Sequence, residues 1–214
     1  MLVRDWESLE QEVKDLFEGD SSGHDWAHTL RVVHLATTIA RREGADETLC
    51  RLAALLHDVD DWKLTGGGMG QSRRAGILMD CHRVDPATQA AVRTIISEVS
   101  FKGKDSLIPS TLEGKVVQDA DRLDAIGAIG IARAFAFGGA HKRLMHDPDA
   151  LPHLEMDEKA YMANKGTTIN HFYEKLLLLE GMMQTTFGRQ MARGRHAFLV
   201  SFLEEFLAEW SALR

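Results

Sequence analysis

The sequence is poor in several kinds of residue, and each shortage argues against a class of protein. Only two cysteines, Cys50 and Cys81, occur among the 214 residues, so the chain has no disulfide framework and is typical of a reducing compartment. With two tyrosines, four prolines and few runs of alternating polar and apolar residues, the sequence argues against a β-sandwich or a β-barrel. No apolar run approaches the roughly 20 residues that a membrane span needs, so we expect no contact with a membrane.

Positive charge is also scarce. The chain has 25 lysines and arginines against 32 aspartates and glutamates, which gives a formal net charge of −7. A surface with this balance repels polyanions on average, so we expect no nucleic-acid polymer as a partner. This net negative charge does not prevent a few local basic side chains from binding a small phosphorylated ligand. The first residues form an amphipathic acidic helix rather than a signal peptide, and we expect a cytoplasmic location.

Residues that favour helices dominate what remains, and 44% of the chain is hydrophobic. This composition predicts an all-α fold. No internal repeat or shift in composition marks a boundary, so we predict a single domain over residues 1–214. The apolar periodicity and the turn residues predict eight helices separated by short loops, with an irregular connection over 138–158. The first two predicted helices span 4–18 and 25–43, and Asp46 caps a third helix that ends near Asp58. The other five span 72–82, 86–97, 111–136, 159–185 and 188–212.

The stretch LAALLHDVDDW, residues 52–62, carries the first chemical signal. An apolar helix runs directly into His57 and a group of carboxylates that begins with Asp58. His28 lies in the first turn of the preceding helix, about 14 residues before the turn between the two helices, and His57 lies about 11 residues after it. At a rise of about 1.5 Å per residue these heights are similar. We therefore expect both imidazoles to meet at one end of a helical hairpin, with Asp58 beside them.

A second signal lies in VVQDADRLDAIGAIG, where apolar residues recur at helical spacing. Asp121 and Asp124 fall on or beside the inward-facing stripe, whereas Asp119 is rotated away from Asp121. A buried carboxylate without a partner is costly, and a metal ion would supply the missing positive charge. Helix geometry leaves Asp121 and Asp124 as alternatives. Gly127 and Gly130 would let a neighbouring helix approach closely.

Together, His28, the His-Asp pair at His57–Asp58 and the ADR triplet around Asp121 resemble the HD-domain superfamily of metal-dependent phosphohydrolases. The resemblance covers roughly residues 20–135. It implies a helical bundle of the HD type, with the C-terminal helices over 159–212 packed on that core. The longer strings resemble a small bacterial subgroup associated with nucleotide pyrophosphohydrolase activity. These strings are GHDWAH, LLHDVDDWK, SFKG, VQDADRLDAIGAIG and NHFYEKLL.

The resemblance implies that His28, His57, Asp58 and Asp121 bind the metal, and it selects Asp121 over Asp124. Two imidazoles and two carboxylates suit one divalent transition metal, with manganese as our first expectation and iron, cobalt, nickel or zinc as alternatives.

In several HD hydrolases a catalytic carboxylate stands three residues after the aspartate of the His-Asp pair. Asp61 occupies this position, and we expect it to orient or deprotonate the attacking water.

Contacts with the substrate are predicted for three further residues. His24 precedes His28 by one helical turn, and we interpret it as supporting the site or facing the substrate, although an ordinary histidine at a helix start explains it equally well. Lys63 and Arg122 are our first choices for binding phosphate, because predicted ligands lie close to them in the sequence. The sequence leaves open the roles of Arg73, Arg74, His141, His146, Lys165 and the glycine-rich loop 66–70.

The predicted function is a metal-dependent phosphohydrolase acting on a small nucleotide. It would convert a nucleoside triphosphate to the monophosphate and pyrophosphate, with metal-activated water as the nucleophile. A nucleoside monophosphate phosphatase and a (p)ppGpp-type hydrolase are alternatives that use the same residues. A regulatory module that binds metal and nucleotide without turnover is an alternative of another class, and the presence of Asp61 argues against it. A homodimer through the last helices is a reasonable assembly.

Overall fold

A computed structural model describes residues 3, 5–18, 25–60 and 73–213. Within these ranges the chain forms helices and no strand, apart from an isolated bridge between Lys102 and Lys104. The all-α prediction is therefore confirmed. The described residues group into two compact units. The boundary between them lies between Asp121 and Arg122, and Phe101–Ser106 belong to the second unit. The prediction of one domain over residues 1–214 stays a prediction.

A helical hairpin forms the centre of the first unit. Helix α2 spans Trp26–Glu43 and helix α3 spans Glu47–Leu56. Gly44 ends α2 in the left-handed conformation, with φ of +74°, which glycine adopts at no steric cost. Asp46 then caps α3 as predicted, because its side chain accepts backbone N–H groups from the first turn.

Helix α3 is buried over most of its length. Its residues 52–56 are at most 1% exposed, and it packs against α2 and two further helices of the unit. The sequence of a helix that is buried on nearly every side is a continuous run of apolar residues, whereas a helix with one exposed face has an apolar stripe. This difference explains the sequence LAALL. The other helices that contribute to this unit are α1 (Trp6–Leu16), α4 (Arg73–Cys81), α5 (Pro86–Val99) and α6 (Leu112–Asp124).

The second unit is built around aromatic side chains. The ring of Phe172 lies 5.7 Å from that of Phe202 and 6.2 Å from that of Phe135, measured between ring centroids. Aromatic pairs at these separations add to the stabilisation that comes from their burial. The helices of this unit are α7 (Gly127–Ala140), α8 (Glu158–Ala163), α9 (Thr168–Glu174) and α10 (Thr186–Trp210), with 3₁₀ turns at Leu176–Leu178 and Glu180–Met182.

The predicted helix over 111–136 is wrong in one respect, because it is two helices. Helix α6 ends at Asp124, and helix α7 begins at Gly127. Between them Ile126 is extended, with φ of −124° and ψ of 164°, and Gly127 has φ of +77°, so the helical hydrogen bonds cannot continue. Within the described ranges no single helix is long and apolar enough to cross a membrane, and only the bent α6–α7 pair reaches that length and composition.

The predicted helix over 159–185 is also wrong. The chain there forms α8, α9 and the two 3₁₀ turns. Asn164 is extended after α8, with ψ of 126°, and Lys175 leaves the helical region after α9, with φ of −140°. No proline lies within 159–185, so the sequence lacks the strongest signal for a break in a helix.

The two glycines at the start of α7 have different tasks. A Cβ atom at Gly127 would lie 3.0 Å from Cγ of Arg195 on α10, so a neighbouring helix does approach Gly127 as predicted. A Cβ atom at Gly130 would instead overlap the carbonyl oxygen of Ala125. The close neighbour of Gly130 is therefore the preceding bend of the chain and not another helix.

We predict that Gly130→Ala destabilises the protein and that Gly139→Ala does not. Overlap with the Ala125 carbonyl should lower the free energy of unfolding by about 1–3 kcal/mol. Gly139 lies on the same helix, and a Cβ atom added there would have no atom within 4 Å, so alanine should leave stability unchanged or raise it by about 0.5 kcal/mol. Chemical denaturation of both variants tests this pair, and equal loss in both would contradict it.

Candidate metal centre

Two imidazoles meet at the end of the α2–α3 hairpin, as the helix lengths predict. His28 lies in the first turn of α2, where its backbone N–H donates to the capping carboxylate of Asp25 over 2.8 Å. His57 follows the last residue of α3. The ring centroids are 5.4 Å apart, and the side chains of His28 and His57 are 0% and 3% exposed.

Two carboxylates reach the Nε2 atoms of both histidines. Oδ2 of Asp58 lies 3.4 Å from Nε2 of His28 and 3.3 Å from Nε2 of His57. Oδ1 of Asp121 lies 3.5 Å and 3.8 Å from the same two nitrogens. The carboxylate side chains are 15% and 27% exposed. The imidazoles therefore form the floor of the site, and the carboxylates lie on its accessible side.

The donor atoms of His28, His57 and Asp58 are close enough together to hold a metal ion, and Asp121 as a fourth ligand stays a prediction. Ligand atoms that share a metal at about 2.1 Å lie about 3.0–4.2 Å apart, depending on the angle between them. The four distances between imidazole nitrogens and carboxylate oxygens, 3.3–3.8 Å, fall in this range. Candidate donor atoms of His28, His57 and Asp58 also lie within 4.8 Å of one another. Two neutral nitrogens and two anionic oxygens would balance a charge of +2.

A backbone hydrogen bond on the side of the ring opposite Nε2 fixes the orientation of His57. Its Nδ1 donates to the carbonyl oxygen of Ala54 over 2.7 Å, which leaves Nε2 directed at the carboxylates. A backbone partner of this kind sets the tautomer of a metal-binding histidine. Ala54 was not singled out from the sequence, although a carbonyl three residues earlier is within reach of any histidine at a helix end.

The electrostatic surroundings of His57 favour its charged form in the absence of a metal. Burial lowers the pKa of His57, but the negative charges of Asp58 and Asp121 and the Ala54 carbonyl outweigh this effect and raise the pKa to about 9. A proton on His57 thus compensates the carboxylates where a metal would otherwise do so.

Asp124 and Asp60, the other aspartates of the two motifs whose contacts are known, bind other groups. Asp124, which helix geometry had left as an alternative, is 1% exposed and forms an ion pair of 2.9 Å with Nη1 of Arg133. Asp119 is fully buried. Asp60 accepts the backbone N–H groups of Arg74 and Ala75 at the start of α4, over 2.8 and 3.0 Å, so its carboxylate caps that helix.

Arg122 is the one predicted substrate-binding residue that the structure describes. It is 3% exposed, and its Nη1 donates to the carbonyl oxygen of Met182 over 2.6 Å. Its predicted contact with a substrate stays a prediction. The predictions for His24, Asp61, Lys63 and loop 66–70 lie outside the described residues.

Two histidines with open roles have contacts in the second unit. His141 donates through Nδ1 to the carbonyl oxygen of Phe137 over 2.9 Å. The ring of His146 lies 5.0 Å from that of Trp210, measured between centroids. Lys165 is exposed.

Comparison with known proteins gives consistent matches. The HD domain family model matches residues 25–126, a range that contains all four proposed ligands. Protein YpgQ of Bacillus subtilis is 37% identical over 205 residues, which cover 95% of this chain and 89% of the relative. The chain belongs to the HD-domain family. This assignment confirms the resemblance, and the protein is an HD-type metal-dependent phosphohydrolase.

Solved structures share the fold over nearly the whole chain. A protein of Lactobacillus plantarum is 38% identical, with a TM-score of 0.87 and 96% of each chain covered. An HD-superfamily hydrolase of Bacillus thuringiensis is also 38% identical, with a TM-score of 0.73 and 96% of each chain covered. The structure of B. subtilis YpgQ in complex with ADP has 35% identity and a TM-score of 0.72, and the match covers 94% of this chain and 96% of that one.

We predict that the metal-free protein loses stability as pH rises from about 6.5 to 9. The folded-state pKa of His57, about 9, exceeds the ordinary value of about 6.5. The added stability is therefore complete below about pH 6.5 and is lost as pH rises through the folded-state value. Thermal unfolding in the presence of a chelator measures this dependence. In His57→Gln the decline should be weaker, and parallel curves for the two proteins would contradict the prediction.

Proposed function

We propose that the protein hydrolyses a nucleoside triphosphate to the monophosphate and pyrophosphate at this centre. His28, His57, Asp58 and Asp121 would hold one divalent metal, with manganese as the first candidate. The observation that carries the proposal is the convergence of two buried imidazoles and two partly exposed carboxylates on one point. The accessible side of this centre is where a phosphate and a water molecule can enter.

When bound, a divalent metal polarises a phosphoryl oxygen and makes water a stronger acid. The side chains of the protein have separate tasks around it. His28 and His57 direct their nitrogens from the floor, and Ala54 keeps His57 in the required tautomer. Asp58 and Asp121 supply the negative charge that retains a divalent cation while the polyanionic substrate is bound.

Asp61 supplies the base in this proposal. It follows the proposed ligand Asp58 by three residues in the sequence. A carboxylate there would accept a proton from the attacking water and orient it towards phosphorus, a contribution usually worth 10²–10⁴-fold. Lys63 and His24 are proposed to bind the phosphates, together with Arg122 if its guanidinium can be reached.

The choice of a nucleotide is supported by a relative. The crystal structure of B. subtilis YpgQ contains ADP, and YpgQ matches 94% of this chain. ADP contains a phosphoanhydride between its α- and β-phosphates. The equivalent bond in a triphosphate is the one whose hydrolysis yields pyrophosphate.

We predict release of pyrophosphate from nucleoside or deoxynucleoside triphosphates in the presence of Mn²⁺. The products over a panel of tri-, di- and monophosphates can be separated by ion-exchange chromatography. His57→Ala and Asp58→Ala should lose metal binding and turnover together, because each removes a ligand and leaves the other charges uncompensated.

Other products would revise the substrate. Release of inorganic phosphate from monophosphates would show that the enzyme is a phosphatase and not a pyrophosphohydrolase. Release of pyrophosphate from (p)ppGpp alone would show that the substrate is (p)ppGpp and not a nucleoside triphosphate. Metal and nucleotide binding without any product would indicate a binding module. Full activity in His57→Ala would overturn the metal centre itself.

We predict that Asp61→Asn lowers kcat by about 10²–10⁴-fold while leaving Mn²⁺ affinity unchanged. Asp60→Asn is the matched control, because Asp60 is the adjacent carboxylate and its oxygens cap α4. The control should lower thermal stability and retain kcat. Steady-state kinetics and isothermal titration of both variants test this pair, and similar kcat values in Asp61→Asn and wild type would exclude Asp61 as the base.

A further inference from the structure

The last turn of α6, which begins with Asp121, is fixed by side chains that the sequence analysis did not connect with the site. Each of the three residues after Asp121 makes a polar contact with another part of the second unit. The contacts are Arg122 to the Met182 carbonyl, the Leu123 carbonyl to Arg195, and Asp124 to Arg133.

The contact of Arg195 adds a second donor to a carbonyl at the end of the helix, since the carbonyl oxygen of Leu123 also accepts the backbone N–H of Ile126 over 3.3 Å. The last carbonyls of an α-helix have no intrahelical partner, and Leu123 lies one residue before the end of α6. Nη1 of Arg195, on α10, donates to its carbonyl oxygen. The space for this arginine exists because Gly127 has no side chain, since a Cβ atom there would lie 3.0 Å from Cγ of Arg195.

Asp124 and Arg133 form the second contact. Oδ2 of Asp124 and Nη1 of Arg133 are 2.9 Å apart, with side chains that are 2% and 14% exposed. Arg195 is partly buried, and its burial lowers the pKa of its guanidinium while the charge of Asp124 raises it. Asp124 thus lies in the electrostatic field of both arginines, and removal of either leaves a buried carboxylate less compensated.

We infer that Asp124, Arg133 and Arg195 form a helix-end clamp that positions Asp121 for metal binding. The inference rests on the proposed function. His28 is on α2, and His57 and Asp58 directly follow α3, so Asp121 is the one proposed ligand on α6. Ligand geometry tolerates errors of only about 0.5 Å. The clamp fixes the backbone of the last turn of α6. Asp121 lies in this turn, three residues before Asp124.

The experiment measures Mn²⁺ affinity by isothermal titration and the bound ion by electron paramagnetic resonance. Arg195→Met and Arg133→Met should each raise the Kd for Mn²⁺ by about 10–100-fold, the range for residues that support metal ligands. Arg133→Lys keeps the charge beside Asp124 and should recover most of the affinity. Circular dichroism selects a temperature at which every variant is folded.

Arg143→Met is the matched control. Arg143 lies in the same unit, donates to the carbonyl oxygen of Asn164 over 2.8 Å and contacts the ring of Phe137, so its loss also removes a polar contact of a partly buried arginine. It should lower stability and leave the Kd unchanged. Asp121→Asn is the reference for loss of the ligand itself.

The outcomes separate the clamp from the metal centre. A raised Kd in the clamp variants with an unchanged Kd in Arg143→Met supports the inference. A lowered affinity in Asp121→Asn together with wild-type affinity in Arg195→Met and Arg133→Met overturns the clamp alone. Equal loss in the clamp variants and Arg143→Met overturns it as well, since the effect would then follow stability. Absence of Mn²⁺ binding in the wild type overturns the centre and the clamp together.

Discussion

The structure depends on how charge is balanced where His28, His57, Asp58 and Asp121 meet. The four distances of 3.3–3.8 Å between imidazole nitrogens and carboxylate oxygens are short enough that two carboxylates must share a positive charge. In the metal-free protein the two carboxylates raise the pKa of His57 to about 9, and in the proposed active form a divalent metal would supply the positive charge. Because the imidazoles are buried and the carboxylates are partly exposed, the charge is held at the base of a site that a phosphate can enter.

All four side chains lie at or next to the end of a helix. Asp25 caps the turn of α2 that contains His28, and the Ala54 carbonyl oxygen accepts a hydrogen bond from Nδ1 of His57 where α3 ends. Helix α6 breaks after Asp124 because Gly127 is left-handed. Helix ends carry unsatisfied backbone groups, and each of the four proposed ligands lies at or next to the end of a helix.

The periodicity of the sequence was sufficient to predict the helical fold, the α2–α3 hairpin and the meeting of His28 with His57, because each depends on local spacing. It was not sufficient to choose between Asp121 and Asp124, since both lie on one face of α6. The choice depends on Arg133, which pairs with Asp124 and comes from the next helix. The break before Gly127 was missed because glycine is tolerated within a helix pattern. The contacts of Arg122 and Arg195 join residues 60 and 72 positions apart, which no local pattern predicts.

The most direct test of the central claim is a crystal structure of the protein grown with Mn²⁺, with anomalous differences measured near the manganese edge. We predict one strong peak about 2.1 Å from Nε2 of His28 and Nε2 of His57, with oxygens of Asp58 and Asp121 completing the protein ligands. A peak bound by the carboxylates alone, or ordered manganese only at another position, would contradict the account.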